Sequence, residues 1–308
     1  MERESFIYKP KIVVIGSCNT DMVVKAGRLP VPGETVLGGT FYINPGGKGA
    51  NQAIAAARLG AEVTLISKIG YDLFGLQALE IYRSEKINTE FIFTDQKSPS
   101  GVALISVDSY GENSIIVAPG ASRSLSTEDI DKAKSKLEEA DIILMQLEVP
   151  IETVEYAATI AKSYGKKVIL NPAPASVLSN SFLSCVHTIL PNRIEAEMLS
   201  GIKVIDEESA WRAAKAIGEK GIENVVITLG KDGAYVKEKE EYTMIPAKEV
   251  ETIDTTGAGD VFCGAFSVYL SENHTLTESV EFANAAAALA VTRMGAQSAI
   301  PYKREIAL

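Results

Sequence analysis

Cysteine, histidine and tryptophan are scarce in this sequence, and each scarcity excludes something. The 308 residues include three cysteines, two histidines and one tryptophan. Cys18, Cys185 and Cys263 form an odd set without C-x-x-C spacing, which points to free thiols and a cytoplasmic, reducing compartment rather than a disulfide framework. His187 and His274 lie far apart and lack H-x-x-x-H spacing, which argues against a histidine-based zinc site. Apolar runs stay short of the roughly 18–20 residues that a membrane span requires. Met1–Lys11 carries Glu2, Arg3, Glu4 and Lys9 and does not read as a signal peptide. Basic charge is short as well: 30 Lys+Arg face 40 Asp+Glu, a formal net charge of −10. That balance argues against nucleic acid or an anionic membrane as the main partner, since both call for a basic footprint.

What is present is a globular composition, 46% hydrophobic and 23% charged, with chain enough to bury a core without disulfide or metal staples. Val- and Ile-rich runs of strand length recur at Ile12–Ile15, Val63–Ile66, Ile142–Met145, Val168–Leu170 and Val225–Thr228, and read as strands buried on both faces. Helical stretches alternate with them. Gly49–Leu59, Ile151–Tyr164 and Glu207–Lys220 each stop at a glycine (Gly60, Gly165, Gly221) suited to a helix C-terminus. Gly257–Leu270 and roughly Thr277–Arg293 are the last two helices, the second rich in alanine; Trp211 falls on an amphipathic helix and reads as packing. This alternation implies an α/β fold with a layered sheet. Two excursions, roughly 19–44 and 89–119, show period-2 patterns with turn signals such as Tyr110-Gly111-Glu112-Asn113. They read as antiparallel strands forming a small lid, or as an extension of the main sheet. The expectation is one domain over 1–308 with a β-lid.

Three glycine-bearing segments carry the chemistry. Gly16-Ser17-Cys18-Asn19-Thr20-Asp21 follows the first strand, where ligands of open parallel sheets sit. Asn19 donates and accepts, while Asp21 only accepts, a pair suited to a polyol; on spacing alone, a turn with Asn and Asp bonded to their own backbone is the favoured reading. Pro45-Gly46-Gly47-Lys48-Gly49-Ala50-Asn51-Gln52 opens a helix with free N–H groups. It is neither a Walker loop nor G-x-G-x-x-G, and the loop after the first strand lacks dinucleotide glycines, which removes the main support for an NAD-dependent oxidoreductase. Asp254-Thr255-Thr256-Gly257-Ala258-Gly259-Asp260 also opens a helix. The backbone N–H groups of Gly257, Ala258 and Gly259 can cradle developing negative charge, and Asp260 beside them can accept the proton of an attacking hydroxyl. A plain glycine turn and an acidic helix start are the simpler accounts of these two segments, but a Gly-Gly-Lys-Gly cluster followed by Asn is more than a turn needs, and the double glycine with two upstream threonines favours function at the second. Asn192-Arg193-Ile194-Glu195 has an Asn and a Glu able to hold hydrated Mg²⁺ near phosphates. Thr228-Leu229-Gly230-Lys231-Asp232-Gly233 joins two strands and would let a nucleotide lie against backbone, or is simply a hairpin.

Gly46–Asn51 and Asp254–Asp260 resemble the two signature regions of the ribokinase-like (PfkB) family of carbohydrate kinases. Gly16–Asp21, Gln146-Leu147-Glu148, Asn171-Pro172-Ala173-Pro174 and Asn192–Glu195 are similar, in order and spacing, to the ribokinase branch of that family, so the resemblance runs from about Lys11 to Pro301. It implies a three-layer α/β/α fold with a central, mostly parallel sheet and a β-lid that mediates homodimerisation. It implies transfer of the ATP γ-phosphoryl group to the 5-hydroxyl of D-ribose, in D-ribose catabolism. Asp260 is then the base, and Gly257, Ala258 and Gly259 are the anion hole. Asn19, Asp21, Gly47, Lys48, Asn51, Glu148 and Asp260 match sugar-binding positions. Asn192, Thr228, Gly230, Gly233, Gly259 and Asn284 match nucleotide positions, with Glu195 acting on Mg²⁺ indirectly. A K⁺ site matches Asp254, Thr256, Ala290, Arg293, Gly295 and Ala299, mostly through carbonyls; Ala299 departs from the pattern, where a serine hydroxyl is expected. Alternatives are a family kinase for deoxyribose, a ketohexose or adenosine, and a non-catalytic sugar or nucleotide sensor.

Overall fold

The computed structural model describes residues 8–110 and 112–307. Met1–Ile7 of the N-terminal segment and Gly111 of the expected turn lie outside the described residues. The chain begins with β1 (Lys11–Ile15), β2 (Asn19–Lys25), β3 (Thr40–Gly46), α1 (Lys48–Arg58), β4 (Glu62–Gly70), α2 (Leu73–Ser84) and β5 (Ile92–Asp95). It continues through β6 (Gly101–Val107), β7 (Asn113–Ala118), α3 (Thr127–Lys132), α4 (Lys134–Glu139), β8 (Ile142–Met145), α5 (Ile151–Ser163), β9 (Lys167–Leu170), α6 (Asn180–Leu183) and β10 (Thr188–Ile189). It closes with α7 (Arg193–Ser200), α8 (Glu207–Gly218), β11 (Asn224–Thr228), β12 (Ala234–Glu238), β13 (Glu241–Ile245), α9 (Ala258–Ser271) and α10 (Leu276–Ala290).

Nine strands form the central sheet in the order β13-β12-β11-β10-β9-β8-β1-β4-β5, parallel from β11 to β5. β12 and β13 are antiparallel. Strand alternation divides the core into two layers. Ile12, Val14, Ile142 and Leu144 face α1, α2, α9 and α10, while Val13, Ile15, Ile143 and Met145 face α3 to α8. Both layers are buried, which is why the inner strands read as unbroken apolar runs. The helices over 151–163 and 207–218 are followed by Gly165 and Gly221 at positive φ, as their sequences require.

α10 ends at Ala290, three residues before the end expected from its pattern. Its last turn tightens as Arg293 N–H donates to the Ala290 carbonyl, and the Val291 carbonyl is taken by the N–H groups of Ile253 and Asp254. A contact with the chain some forty residues earlier stops the helix, and the alanine pattern carries no trace of it.

The excursions build a separate four-stranded sheet, β3-β2-β6-β7. β2/β3 and β6/β7 are antiparallel, and a parallel β2/β6 pair joins the two ribbons. Of the segment 89–119, Ile92–Asp95 instead extends the central sheet as its edge strand, paired with β4 from Ser67 to Gly70. In the small sheet Asp21, Asn44, Ala103 and Val117 are cross-strand neighbours on one face. β7 is exposed along its whole length.

Candidate active site

The site lies beyond the C-terminal ends of β1, β8, β9, β10 and β11, where an open parallel sheet leaves its crevice. α1 is seated first. A Cβ on Gly49 would lie 2.5 Å from the carbonyl carbon of Gly16, so only glycine lets α1 rest on the end of β1. No side chain of its own N-cap satisfies the first turn of α1; the Lys48 N–H donates instead to Glu148 Oε2 at 3.0 Å, and Ser17 Oγ donates to the same oxygen. Glu148 thus acts as a cap brought from the end of β8.

α9 then docks on α1 through Gly264, where a Cβ would meet the Ala55 Cβ at 2.6 Å and the Gln52 carbonyl oxygen at 2.9 Å. That approach puts Asp260, in the first turn of α9, within reach of α1. Asn51 Nδ2 donates to Asp260 Oδ2 at 2.9 Å and Gln52 Nε2 to Asp260 Oδ1 at 3.0 Å. Asp260 is buried, and no side chain caps α9; the Ala258 N–H donates to the Thr255 carbonyl at 3.2 Å, a turn bond an incoming anion would share or replace. Gly257 has φ +75° as the N-cap, and the α-carbon of Gly259 faces open space.

A cavity of about 130 Å³ opens beside this helix end, lined by Lys48, Asn192, Glu195, Thr228, Gly257, Gly259 and Asp260, among others. Asn192 caps α7 reciprocally with Glu195: its N–H and Nδ2 donate to the two Glu195 oxygens at 2.8 and 2.9 Å. Burial raises the Glu195 carboxyl above its usual range. Gly230, Gly233 and Asn284 are not among the residues lining this cavity. Gly233 meets the Ile245 carbonyl so closely that a Cβ would sit 2.0 Å from it, and Asn284 Nδ2 donates to the Pro246 carbonyl at 3.2 Å.

Asp21, on β2, lies against Gly46 and within electrostatic reach of Glu148, Asp260 and Lys48. Burial, then the Glu148 and Asp260 carboxylates, push the Asp21 carboxyl up to about 6, against the pull of Lys48. The Asp260 carboxylate raises the Lys48 ammonium, burial opposes it, and Glu148 and Glu195 add to the rise. Asn19 is buried with its Oδ1 unpartnered against Gly101, and it lines a second cavity with Thr20, Ile43, Pro45 and Phe74 rather than the one beside Asp260.

The carboxylate of Asp254 ties two loops together. Oδ1 accepts from the N–H and hydroxyl of Thr256, and Oδ2 accepts from Gly295 N–H at 2.9 Å. Burial works against its ionisation, yet these hydrogen bonds hold it below the usual carboxylate range. Arg293 pairs outward with Glu305 at 2.7 Å, and Ala299 is buried. Sequence reasoning passed over Gln52 and Gln297 as partners of Asp260 and Asn51, Ser17 as a partner of Glu148, and Cys263 in the cavity wall. Gln52 had one signal, a long polar side chain in the alanine-rich run Ala50–Ala57.

The family model described as pfkB family carbohydrate kinase matches residues 9–303. A ribokinase of Haemophilus influenzae is 46% identical over 294 residues, 96% of each chain. A deoxyribokinase of Salmonella typhi is 38% identical and covers 94% of this chain and 95% of its own. Among solved structures, Arabidopsis thaliana ribokinase complexed with ribose and ATP superposes with a TM-score of 0.89 at 30% identity, over 96% of this chain and 97% of that one. With a family model spanning nearly all of it and a glycine-framed carboxylate at the sheet's C-terminal edge, the chain belongs to the pfkB family of carbohydrate kinases.

Proposed function

We propose that the protein is a ribokinase, transferring the γ-phosphoryl group of ATP to the 5-hydroxyl of D-ribose to give D-ribose 5-phosphate and ADP. One observation carries the reading: the Asp260 carboxylate stands between polar groups suited to a sugar (Asn19, Asp21, Gly47, Lys48, Asn51, Glu148) and an uncapped helix end suited to phosphates. Asp260 takes the hydroxyl proton as the oxygen bonds to phosphorus and the bond to ADP breaks. The amides of Gly257, Ala258 and Gly259 hold the transferring oxygens in a water-poor crevice. Asn192, Thr228 and Gly259 face the nucleotide phosphates, with Gly230, Gly233 and Asn284 further out along it. An ADP-release assay over ribose, deoxyribose, a ketohexose and adenosine tests the choice of acceptor; ribose is expected to give the highest kcat/KM. Deoxyribose is the second reading, favoured by the deoxyribokinase relative, and it would displace ribose if it were turned over faster.

Mg²⁺ and K⁺, when bound, would add positive charge beside the phosphates and the anion hole. Glu195 has both oxygens engaged by Asn192, so its hold on Mg²⁺ runs through water. Asp254 and the carbonyls of Thr256, Ala290, Arg293 and Gly295 would supply the hard oxygens an alkali ion takes. The methyl of Ala299 offers no oxygen, so weak stimulation on replacing Na⁺ by K⁺ is expected; strong stimulation would overturn that expectation.

The titration of Asp21 gives a further expectation. An ionised Asp21 accepts from sugar hydroxyls, and a protonated one loses part of that capacity. Its carboxyl is raised to about 6, so the KM for ribose should rise several-fold, on the order of a lost hydrogen bond, as pH falls through 6. The KM for ATP should move less. A ribose KM that is flat between pH 7.5 and 5.5 would sink the assignment.

The small sheet is the lid of a single catalytic domain. Phe41, Ile43, Leu104 and Ile116 lie on its face away from Asp21 and are all more than half exposed, an apolar face of the kind that marks an interaction site, and a second copy of the chain is its proposed cover. Light scattering tests this, since a monomer at micromolar concentration would contradict it.

A further inference from the structure

We infer that Gln52 is a positioning residue for the Asp260 carboxylate, and that Gln146 sets which end of the Gln52 amide faces it. The inference rests on the reading of Asp260 as the base. Gln52 and Gln146 are both fully buried. Gln52 Nε2 donates to Asp260 Oδ1 at 3.0 Å and to Asn171 Oδ1 at 3.2 Å. A carboxylate only accepts, so the Gln52 atom facing Asp260 has to be the amide nitrogen. Gln52 Oε1 then points away, and Gln146 Nε2 donates to it. The other Asp260 oxygen is held in the same way, by Asn51, whose own Oδ1 accepts from Gln297 Nε2 at 3.0 Å.

Two amide chains therefore converge on Asp260, each with its N–H end foremost. Neither carries a charge. They fix the plane of the carboxylate, and each oxygen keeps a lone pair for the substrate. Gln52 comes from α1 and Gln146 from the end of β8, so the base is referenced to the sheet as well as to its own helix.

Gln52→Met keeps the side-chain length and removes the donor. Its kcat should fall roughly 10–100-fold, the cost of a misaligned base, while the KM for ribose stays within about threefold. Gln146→Met should lose less, and the double variant should be no slower than Gln52→Met, because Gln146 acts only through Gln52. Ribose binding measured by calorimetry shows whether each variant is folded. Should Gln52→Met fail that check, Gln52→Glu keeps the shape, sets a second carboxylate against Asp260, and should lose at least as much kcat at neutral pH. A packing role predicts instead that the losses multiply and track the fall in Tm. A kcat for Gln52→Met within about twofold of the unaltered enzyme, or losses that multiply in the double variant, overturns the inference. Near-normal turnover of Asp260→Asn would remove the base reading itself, a separate failure.

Discussion

Asp260→Asn is expected to lower kcat by roughly 10²–10⁴-fold, the range that general-base catalysis supplies, with ribose affinity little changed. The side chain is nearly isosteric and still meets Asn51 and Gln52, though one of their amides must now face a donor. What disappears is the proton acceptor at the head of α9. Anion hole, nucleotide contacts and sugar contacts stay, so the residual rate measures what positioning alone achieves. Single-turnover kinetics with saturating ribose and ATP isolate the step. A kcat within tenfold of the unaltered enzyme would mean that proton removal is not the difficult part, and Asp260 would revert to an acidic helix start.

Gly264→Val should act through structure. The added Cβ would overlap the Ala55 Cβ and the Gln52 carbonyl, and neither can step aside. Ala55 is fully buried, and the backbone of α1 is held against β1 by the Gly16–Gly49 contact. Overpacking a dense core costs typically ~1–3 kcal/mol, so a clear fall in Tm is expected. Because α9 carries Asp260 away from α1 as it yields, kcat should drop well beyond what the lost stability explains. A variant with normal Tm and normal kcat would show that the helix pair tolerates separation.

The parts of this protein that were legible in sequence are those decided locally. β1 and β8 announced themselves because both faces of a central parallel strand must be apolar. Gly165 and Gly221 marked the ends of their helices because the backbone there needs positive φ. The loops bearing Lys48, Asn192 and Asp260 could be placed at strand ends or helix starts from their glycines and capping residues, and these three side chains line one cavity, whereas Asn19 lines another. The unreadable parts were set by partners far along the chain. The end of α10 depends on Ile253 and Asp254. The excursions were visible as alternating strands, but the parallel pairing of β2 with β6 was not, and the alternative of an extended main sheet holds for Ile92–Asp95 alone. Gln52 stood out only as a long polar side chain in an alanine-rich run, because its partner lies 208 residues away.

The head of α9 has one more consequence. The proposed proton acceptor and the proposed phosphate cradle occupy successive residues of a single helix, which rises about 1.5 Å per residue and does not stretch. Their spacing is therefore fixed before either substrate arrives. Any movement of the small sheet can change who enters, how much water remains and how firmly the sugar is gripped, but it cannot alter the distance between the two reacting partners' docking points. On this reading, variants of the small sheet should trade affinity and leakage to water against one another, and leave the intrinsic rate of the closed complex where α9 sets it.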